Sequence, residues 1–510
     1  VKHILENDFY TKAISNSPRL IIGTLLLLPS KLGTDWYSGI YLYKVIFRVI
    51  YMPLLFLCMY KITTQNSTKE SFRKIDLILI IIIIFSIVST EIIIDMQRSW
   101  EIAGFPTIFK DISASTKHYA LIIGLIYLVI IFSQDFKYKI FISSAFLAFS
   151  SMVHLLVGLA IFCVMVIYKG SKNKYIADKN ILINFVFGFI LPVLFFLFII
   201  NNPNPLSNKD FIQIYVFETH PYHFLMSEII GWTFIKWSIC YFIYFSISIL
   251  MKNKTIIRIN FLSLLFFVLP PFIQFFSTEI LPLKFIALLG INRFTSFHSF
   301  IICTNSLIIL SHSNIFKSFG KKLVDFIKIA KNKNDFEYNF TEMYLYKSVV
   351  KICSMKNKTY FITMIITLII IWNKTNHNAL DTNYMINNYK SLSHFCSFLK
   401  ENTHKDAVIF SNVFGNNYDI YLNTAIRVFG HRAIFTDWAF PFSESFFKEY
   451  MTRSKFYDRF PNFTPEDFNV LKKKYGVTHI LMKNYTPNKF EHIDTLWIDE
   501  NYIFFDLTKI

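Results

Sequence analysis

Residues 139–168 read KIFISSAFLAFSSMVHLLVGLAIFCVMVIY. Between Lys139 and Lys169 no residue carries a formal charge. A helix rises about 1.5 Å per residue, so about 20 apolar residues cross about 30 Å of hydrocarbon. The run is too long for one straight span and short for two. Lys137 and Lys139 precede it and Lys169 follows it, so both ends read as cytoplasmic under the positive-inside rule. The expectation is a re-entrant hairpin of two short helices with Ser150-Ser151 at its tip.

The same reading extends along the chain. Apolar runs at 41–63, 76–95, 119–133, 180–201, 230–251, 257–276, 296–311 and 358–373 are span candidates. The run from Leu20 to Leu28, bracketed by Pro18 and Pro29, is too short to cross alone and reads as interfacial or a short membrane helix. The basic loops 64–75, 169–179, 252–258 and 312–357 all fall on the cytoplasmic side if 139–168 turns back. The predicted fold class is an all-α polytopic membrane bundle of about nine to ten spans, residues 1–373, followed by an extracytoplasmic α/β domain, 374–510. The segments 1–40, 96–118, 202–229 and 277–295 then share the outer face with the tail.

Composition agrees with that expectation. Hydrophobic residues make up 54% of the 510 and charged residues 17%, with a mean hydropathy of +0.42. A soluble domain usually carries about 25% charged residues. The net charge of +18 sits in short loops between apolar runs, which encodes orientation and argues against a nucleic-acid partner. The six cysteines show no zinc spacing and no disulfide framework.

In the tail, helices are expected at 384–402, 442–456 and from Thr464, and strands at Ala407–Ser411, near Arg427–Phe435, at Val477–Met482 and at Ile503–Leu507. Thr464-Pro465-Glu466-Asp467 is a helix start, with an N-cap threonine, proline at N1 and acids in the first turn, and Gly476 ends that helix. No Gly-rich phosphate loop, GxSxG or HExxH stands in the tail.

Several polar groups at apolar boundaries could carry chemistry. Asp8, with Glu6 beside it, is either a solvated acid or a carboxylate that acts as a general base or holds a divalent cation, Mg or Mn. His220-Pro221-Tyr222-His223 is a rigid titratable pair suited to a phosphate, metal or hydroxyl, or an interfacial turn. Arg98, Lys284 and Arg293 could each meet a lipid phosphate, or simply snorkel. His154 and Gly158 read as packing within the hairpin. Arg432, Asp437 and Trp438 follow a strand end, where binding loops lie, although Trp438 and Phe440 also suit packing.

Taken together, these features resemble the GT-C glycosyltransferases. The resemblance rests on the acid before the first helices, the many apolar runs and the C-terminal α/β domain. The chain is similar, more closely, to a bacterial group of polytopic membrane proteins. That group shows a His-Pro-x-His loop, a His-x-x-x-Gly hairpin and a tail reading Arg-x-x-Phe-x-Asp-Trp followed by Pro-Phe. Here the matches are His220 to His223, His154 to Gly158, Arg432 to Trp438, and Pro441-Phe442.

The resemblance implies transfer of a sugar from a polyprenyl-phosphate donor to a glycan or protein acceptor, at the outer face of a bacterial inner membrane. It implies Asp8 or Glu6 as the catalytic acid pair, His220, His223, Arg293, Arg98 and Lys284 on the lipid phosphate, and Arg432, Asp437 and Trp438 on the acceptor. It also implies a span preceding the acid-bearing segment, so the chain, which opens on Val1, is expected to lack its first span. Two other readings compete: a transporter or flippase of lipid-linked glycans, against which the lack of an internal repeat counts, and a membrane scaffold with a binding tail.

Overall fold

In this computed structural model the described residues are 8, 36–66, 116–171, 179–194, 206–220, 224–225, 232–291, 294, 297–312, 382–411, 422–436, 444–483, 493–499 and 502–509. The chain divides into two compact units. A helical unit comprises Ile21–Phe198 and Val216–Asn378; an α/β unit comprises Val1–Leu20, Ile199–Tyr215 and Ala379–Ile510. The tail thus gathers two earlier pieces of chain into its own fold.

The helical unit begins with α1 (Trp36–Asn66), α2 (Thr116–Ile131), α3 (Lys139–Val153) and α4 (Leu155–Gly170). Helix α5 (Lys179–Phe185) continues into a π-helical turn, Val186–Ile190. Helix α6 (Asn208–Ile212) belongs to the α/β unit. The helical unit resumes with α7 (Trp232–Leu250), α8 (Lys254–Phe275), which runs into a second π turn at Phe276–Ile280, α9 (Lys284–Leu289) and α10 (His298–His312).

This corrects the expected bundle of nine to ten spans. Among the described residues one helical stretch, Lys254–Ile280, is long and apolar enough to cross a membrane, by length and composition. The expected spans at 76–95 and 358–373 lie outside the described residues. The two short helices expected over 139–168 are present, 15 and 16 residues long, but the break falls at His154, whose backbone is extended (φ −156°, ψ 100°), and not at Ser150-Ser151. Sixteen residues of helix reach about 24 Å, short of the hydrocarbon thickness. The apolar run misled because a core helix and a span have the same composition. Helix α4 buries residues around most of its circumference, from Leu156 and Val157 to Ile167 and Tyr168, as a core helix does.

Polar side chains and small residues fix the packing of these helices. The Tyr168 hydroxyl on α4 donates to Asn305 Oδ1 on α10 at 2.8 Å. Asn305 Nδ2 donates to Asn260 Oδ1 and to Ser263 Oγ, both on α8 and both at 3.1 Å. This buried network ties three helices together in one register. Gly158 lets α4 approach α3: a Cβ there would stand 2.2 Å from Ser151 Oγ and 2.7 Å from its Cα. Gly188, in the first π turn, lies where a Cβ would come within 2.5 Å of the Leu147 side chain.

The α/β unit holds a mixed five-stranded sheet, in the order β2-β1-β3-β5-β4. Its strands are β1 (Val408–Ser411), β2 (Ala433–Ile434), β3 (Val477–Lys483), β4 (Thr495–Ile498) and β5 (Tyr502–Asp506). Strands β2, β1 and β3 run parallel, and β5 and β4 complete the sheet antiparallel. Ile409, Ile434, Leu481 and Phe504 form a core with Phe395 and Leu399 of α11 (Thr382–Asn402) and Ile426 of α12 (Leu422–Val428). Phe410, Phe435, Ile480 and Phe505 form a second core with α13 (Phe447–Arg459) and α14 (Pro465–Tyr475). Alternating side chains thus serve opposite faces of the sheet.

The helix start at Thr464 is a reciprocal capping box with Asp467, and Gly476 closes α14 at φ 68°. Of the strand expected over 427–435 only Ala433–Ile434 forms β2: Arg427 and Val428 are the last residues of α12, and a turn follows before Ala433. Strand β4 was not foreseen.

Replacing Gly158 by Ala should destabilise the helical unit by about 1–3 kcal/mol, the usual result of overpacking a close contact. Gly170→Ala is the control, because the nearest atom to its Cβ lies 3.8 Å away. A lowered Tm for the first full-length variant and an unchanged Tm for the second is the expected result.

Candidate functional site

In parallel α/β sheets, ligands bind outside the carboxyl ends of the strands, near the point where chain connections diverge. Here β1 lies between β2 and β3, and the chain runs from β1 to β2 on one side before returning to β3 on the other. The carboxyl edge of these strands is therefore the place in this unit that the fold prepares for a ligand.

Two buried hydroxyls stand at that edge. Ser411 ends β1 and Thr436 follows β2. Ile409 pairs with Ile434, and each hydroxyl residue lies two positions further along its strand, on the face of α11 and α12. Among the described residues neither Ser411 Oγ nor Thr436 Oγ1 has a hydrogen-bond partner. A buried hydroxyl without a partner costs free energy until something bonds it.

The carbonyls beside them are held. Arg453 Nη1 on α13 donates to Phe435 O, and the Tyr457 hydroxyl donates to Thr436 O at 3.1 Å. The Arg453 guanidinium also bonds Glu449 and lies over the Phe435 and Tyr475 rings, 4.9 and 5.0 Å from their centroids. The chain thus leaves β2 from a fixed end. Asp437 and Trp438 come next and lie outside the described residues.

Asp8 has a different place from the one the sequence suggests. Its carboxylate is fully buried, and Oδ2 accepts from Arg427 Nε at 3.1 Å and from Ile434 N at 2.8 Å. Ala433 and Phe435 donate their amides to β1, so the Ile434 amide points away from the sheet. Asp8 satisfies that outward donor and pairs the buried Arg427 together. It is a clamp on edge strand β2, neither a solvated acid nor an outer-face base. Arg427 escaped notice because its stretch read as strand.

Arg432 is likewise committed to structure. Its guanidinium donates to the carbonyls of Leu399, Lys400 and Thr403 and to Thr403 Oγ1 at the end of α11, and to Gly430 O and His431 O. A cation there also meets the negative end of the helix dipole. His431 adopts a left-handed conformation at φ 51°, within the turn that brings Arg432 into place. Arg432 was expected on the acceptor; it caps a helix instead.

In the helical unit, the His220 ring meets Phe224 edge-on, with centroids 6.1 Å apart, and Lys284 opens α9. Glu6, Arg98, His223 and Arg293 lie outside the described residues. Among the described residues no group of three His, Cys, Asp or Glu side chains stands close enough to hold a metal.

One titratable residue was missed. His479 on β3 is buried, its ring stacked on Phe504 at 4.9 Å, and its Nδ1 lies 2.7 Å from Thr478 Oγ1. A bulge at Thr478 turns the two neighbours toward one another. Burial pushes the His479 pKa down to about 4, with Asp506 opposing and Arg432 assisting. Only the pairing of β3 with β5 reveals this environment.

No protein-family model, curated protein or solved structure matches this chain. The functional reading therefore rests on the chain itself.

Two predictions follow from these contacts. Asp8→Ala removes the carboxylate from beside the buried Arg427 and should destabilise the α/β unit by about 3–5 kcal/mol, read by urea unfolding of the full chain; Asp8→Ala with Arg427→Leu should recover part of that loss. For His479, the folded pKa lies below the unfolded value, so the unfolded state binds the proton more readily. Stability should be full above about pH 6.5 and fall as pH drops from there toward 4. His479→Gln should flatten the unfolding midpoint across that window.

Proposed function

We propose that this protein is a membrane glycosyltransferase that moves a sugar from a polyprenyl-phosphate-linked donor to a glycan or protein acceptor. The observation that carries the proposal is the pair of buried, unbonded hydroxyls, Ser411 and Thr436, at the carboxyl edge of β1 and β2. Paired hydroxyls that both donate and accept suit a polyhydroxylated ligand. Asp437 and Trp438 directly follow Thr436, and a carboxylate beside an indole suits the polar rim and apolar face of a sugar.

The surface of the helical unit supports a lipid-linked donor. Phe141, Leu250 and Phe285 are 73%, 79% and 59% exposed on their helices. Apolar surface on that scale is costly in water and is relieved by contact with lipid. This supports contact with a membrane; the resemblance to GT-C enzymes is what suggests a bacterial inner membrane with the α/β unit on the outer face. The resemblance to GT-C enzymes supplies the reaction class.

The roles then divide by unit. The donor phosphate is assigned to the cations of the helical unit, His220, His223, Arg98, Lys284 and Arg293. Their charge offsets that on the departing polyprenyl phosphate as the bond from the anomeric carbon to the phosphate oxygen breaks. The acceptor is assigned to the α/β unit, and its hydroxyl proton passes to a carboxylate. Asp8 is spent on Arg427 and Ile434, which leaves Glu6 as the base for this step, as the acceptor oxygen bonds the anomeric carbon and the polyprenyl phosphate leaves.

The test supplies full-length protein in membranes with polyprenyl-phosphate-linked hexose and N-acetylhexosamine donors. Ser411→Ala, Thr436→Val and Trp438→Ala should raise KM for the acceptor, by roughly tenfold for each lost hydrogen bond or stacking contact. His220→Ala and Arg293→Ala should slow donor consumption. Unchanged turnover in all five variants would sink the proposal.

A further inference from the structure

A cavity of about 770 Å³ opens in the helical unit, walled by residues of α2 to α5, the turn between α2 and α3, and the first π turn. It contains none of the residues assigned above to the donor or the acceptor. We propose that this cavity binds a lipid phosphate, with the phosphate at Lys139 and Lys169 and the chain along the phenylalanine wall.

The polar side of the cavity is built around Lys139. This residue is buried, and its ammonium donates to Ser133 O at 2.6 Å and to Asp135 Oδ1 at 3.0 Å. An ammonium has three N–H donors, so one remains for a ligand. Lys169 lines the same cavity, with its ammonium 5.5 Å from the centroid of Phe132. Among the described residues, Lys139 and Lys169 both act on Asp135, whose side chain is fully solvent-exposed. Hydrogen bonding and charge from Lys139, and charge from Lys169, hold its carboxyl below the usual range, so the acid stays ionised.

The Lys139 ammonium stands at an unfavourable place for a cation. Lys139 is the first residue of α3, where the helix dipole is positive. An anion there meets the ammonium and the dipole together. Beside it, Asn184 Oδ1 accepts from Ser144 Oγ at 3.2 Å, and Asn184 Nδ2 donates to Asn180 O at 2.7 Å. The Ser144 bond holds α5 against α3 at the polar end.

The rest of the cavity is apolar and open at its rim. Phe136 and Phe187, both lining residues, are 47% and 50% exposed, and Phe141 more so. A soluble anion such as inorganic phosphate would leave these rings unserved. A neutral lipid would leave the lysines unserved. An anion carried on an apolar chain satisfies both, and the volume falls within the range of about 300–1,000 Å³ common for small-molecule sites.

The backbone is also shaped for this wall. Tyr138, which lines the cavity, adopts φ 65°, an uncommon conformation for a residue with a side chain. The π turn at Val186–Ile190 carries Phe187 and is fitted against Leu147 through Gly188. Single π turns inside helices are frequent at functional sites.

The proposal stands whether or not the chain transfers a sugar. It is tested by titrating purified full-length protein in neutral detergent with four probes: geranylgeranyl phosphate, dioctanoyl phosphatidate, geranylgeraniol and inorganic phosphate. Binding of geranylgeranyl phosphate alone assigns the site to isoprenoid phosphates, binding of phosphatidate alone to glycerolipids, and binding of both to lipid phosphates in general.

In each case Lys139→Met and Lys169→Met should weaken binding roughly tenfold, and Lys139→Arg should retain it. Added salt should weaken it as well. Phe141→Ala should weaken the lipid phosphates without creating affinity for inorganic phosphate. Equal binding of geranylgeraniol, equal binding of inorganic phosphate, equal affinity in both Met variants with their Tm preserved, or no binding of either lipid phosphate would overturn it.

Discussion

A carboxylate shut away from water must find its partners within the protein, and Asp8 accepts from the Arg427 guanidinium and the Ile434 amide. Removing either ion would strand the other in a medium that solvates charge poorly. The bond to Ile434 closes the outer edge of β2, which would otherwise present an unpaired donor. A residue near the start of the chain thereby becomes part of a sheet formed more than four hundred positions later. Residues 206–215 join the same unit, through Leu206 N on the Glu444 carboxylate and Phe211 and Tyr215 against Phe447. Edge strand β2 is fixed in this way, its last carbonyls are held by Arg453 and Tyr457, and at the carboxyl edge Ser411 and Thr436 keep hydroxyls with no hydrogen-bond partner among the described residues.

The helical unit solves a different problem. Its helices are apolar nearly all round, so hydrophobic burial alone does not choose which face meets which. The Tyr168–Asn305–Asn260 network and the close approaches at Gly158 and Gly188 make that choice, because each works in only one register. The same lack of amphipathicity leaves large apolar side chains such as Phe141 and Leu250 exposed. The cavity between α3 and α5 combines both properties, a buried lysine at one end and exposed rings at the other.

Local chemistry was legible in the sequence wherever one short segment decided it. The capping box at Thr464, the stop at Gly476 and the strands around Val408, Val477 and Ile503 follow from residue types at fixed spacing. Apolar composition located the helices of the first unit but not their lengths. A span and a core helix draw on the same residues, and the break at His154 depends on how α3 and α4 pack rather than on any breaker residue.

The roles of Asp8 and Arg432 were beyond a linear reading for a plainer reason. An exposed site residue and a buried clamp have the same side chain, and only the partners distinguish them. Arg432 meets the last carbonyls of α11 from about thirty positions away, and His479 owes its depressed pKa to burial and to the charge of Arg432. Sequence by itself determined the α/β character of the tail and the apolar nature of the helices, because these follow from periodicity and transfer free energy. Tertiary structure decided which charges are spent on the fold and which remain for a ligand, because that depends on distances between residues far apart in the chain.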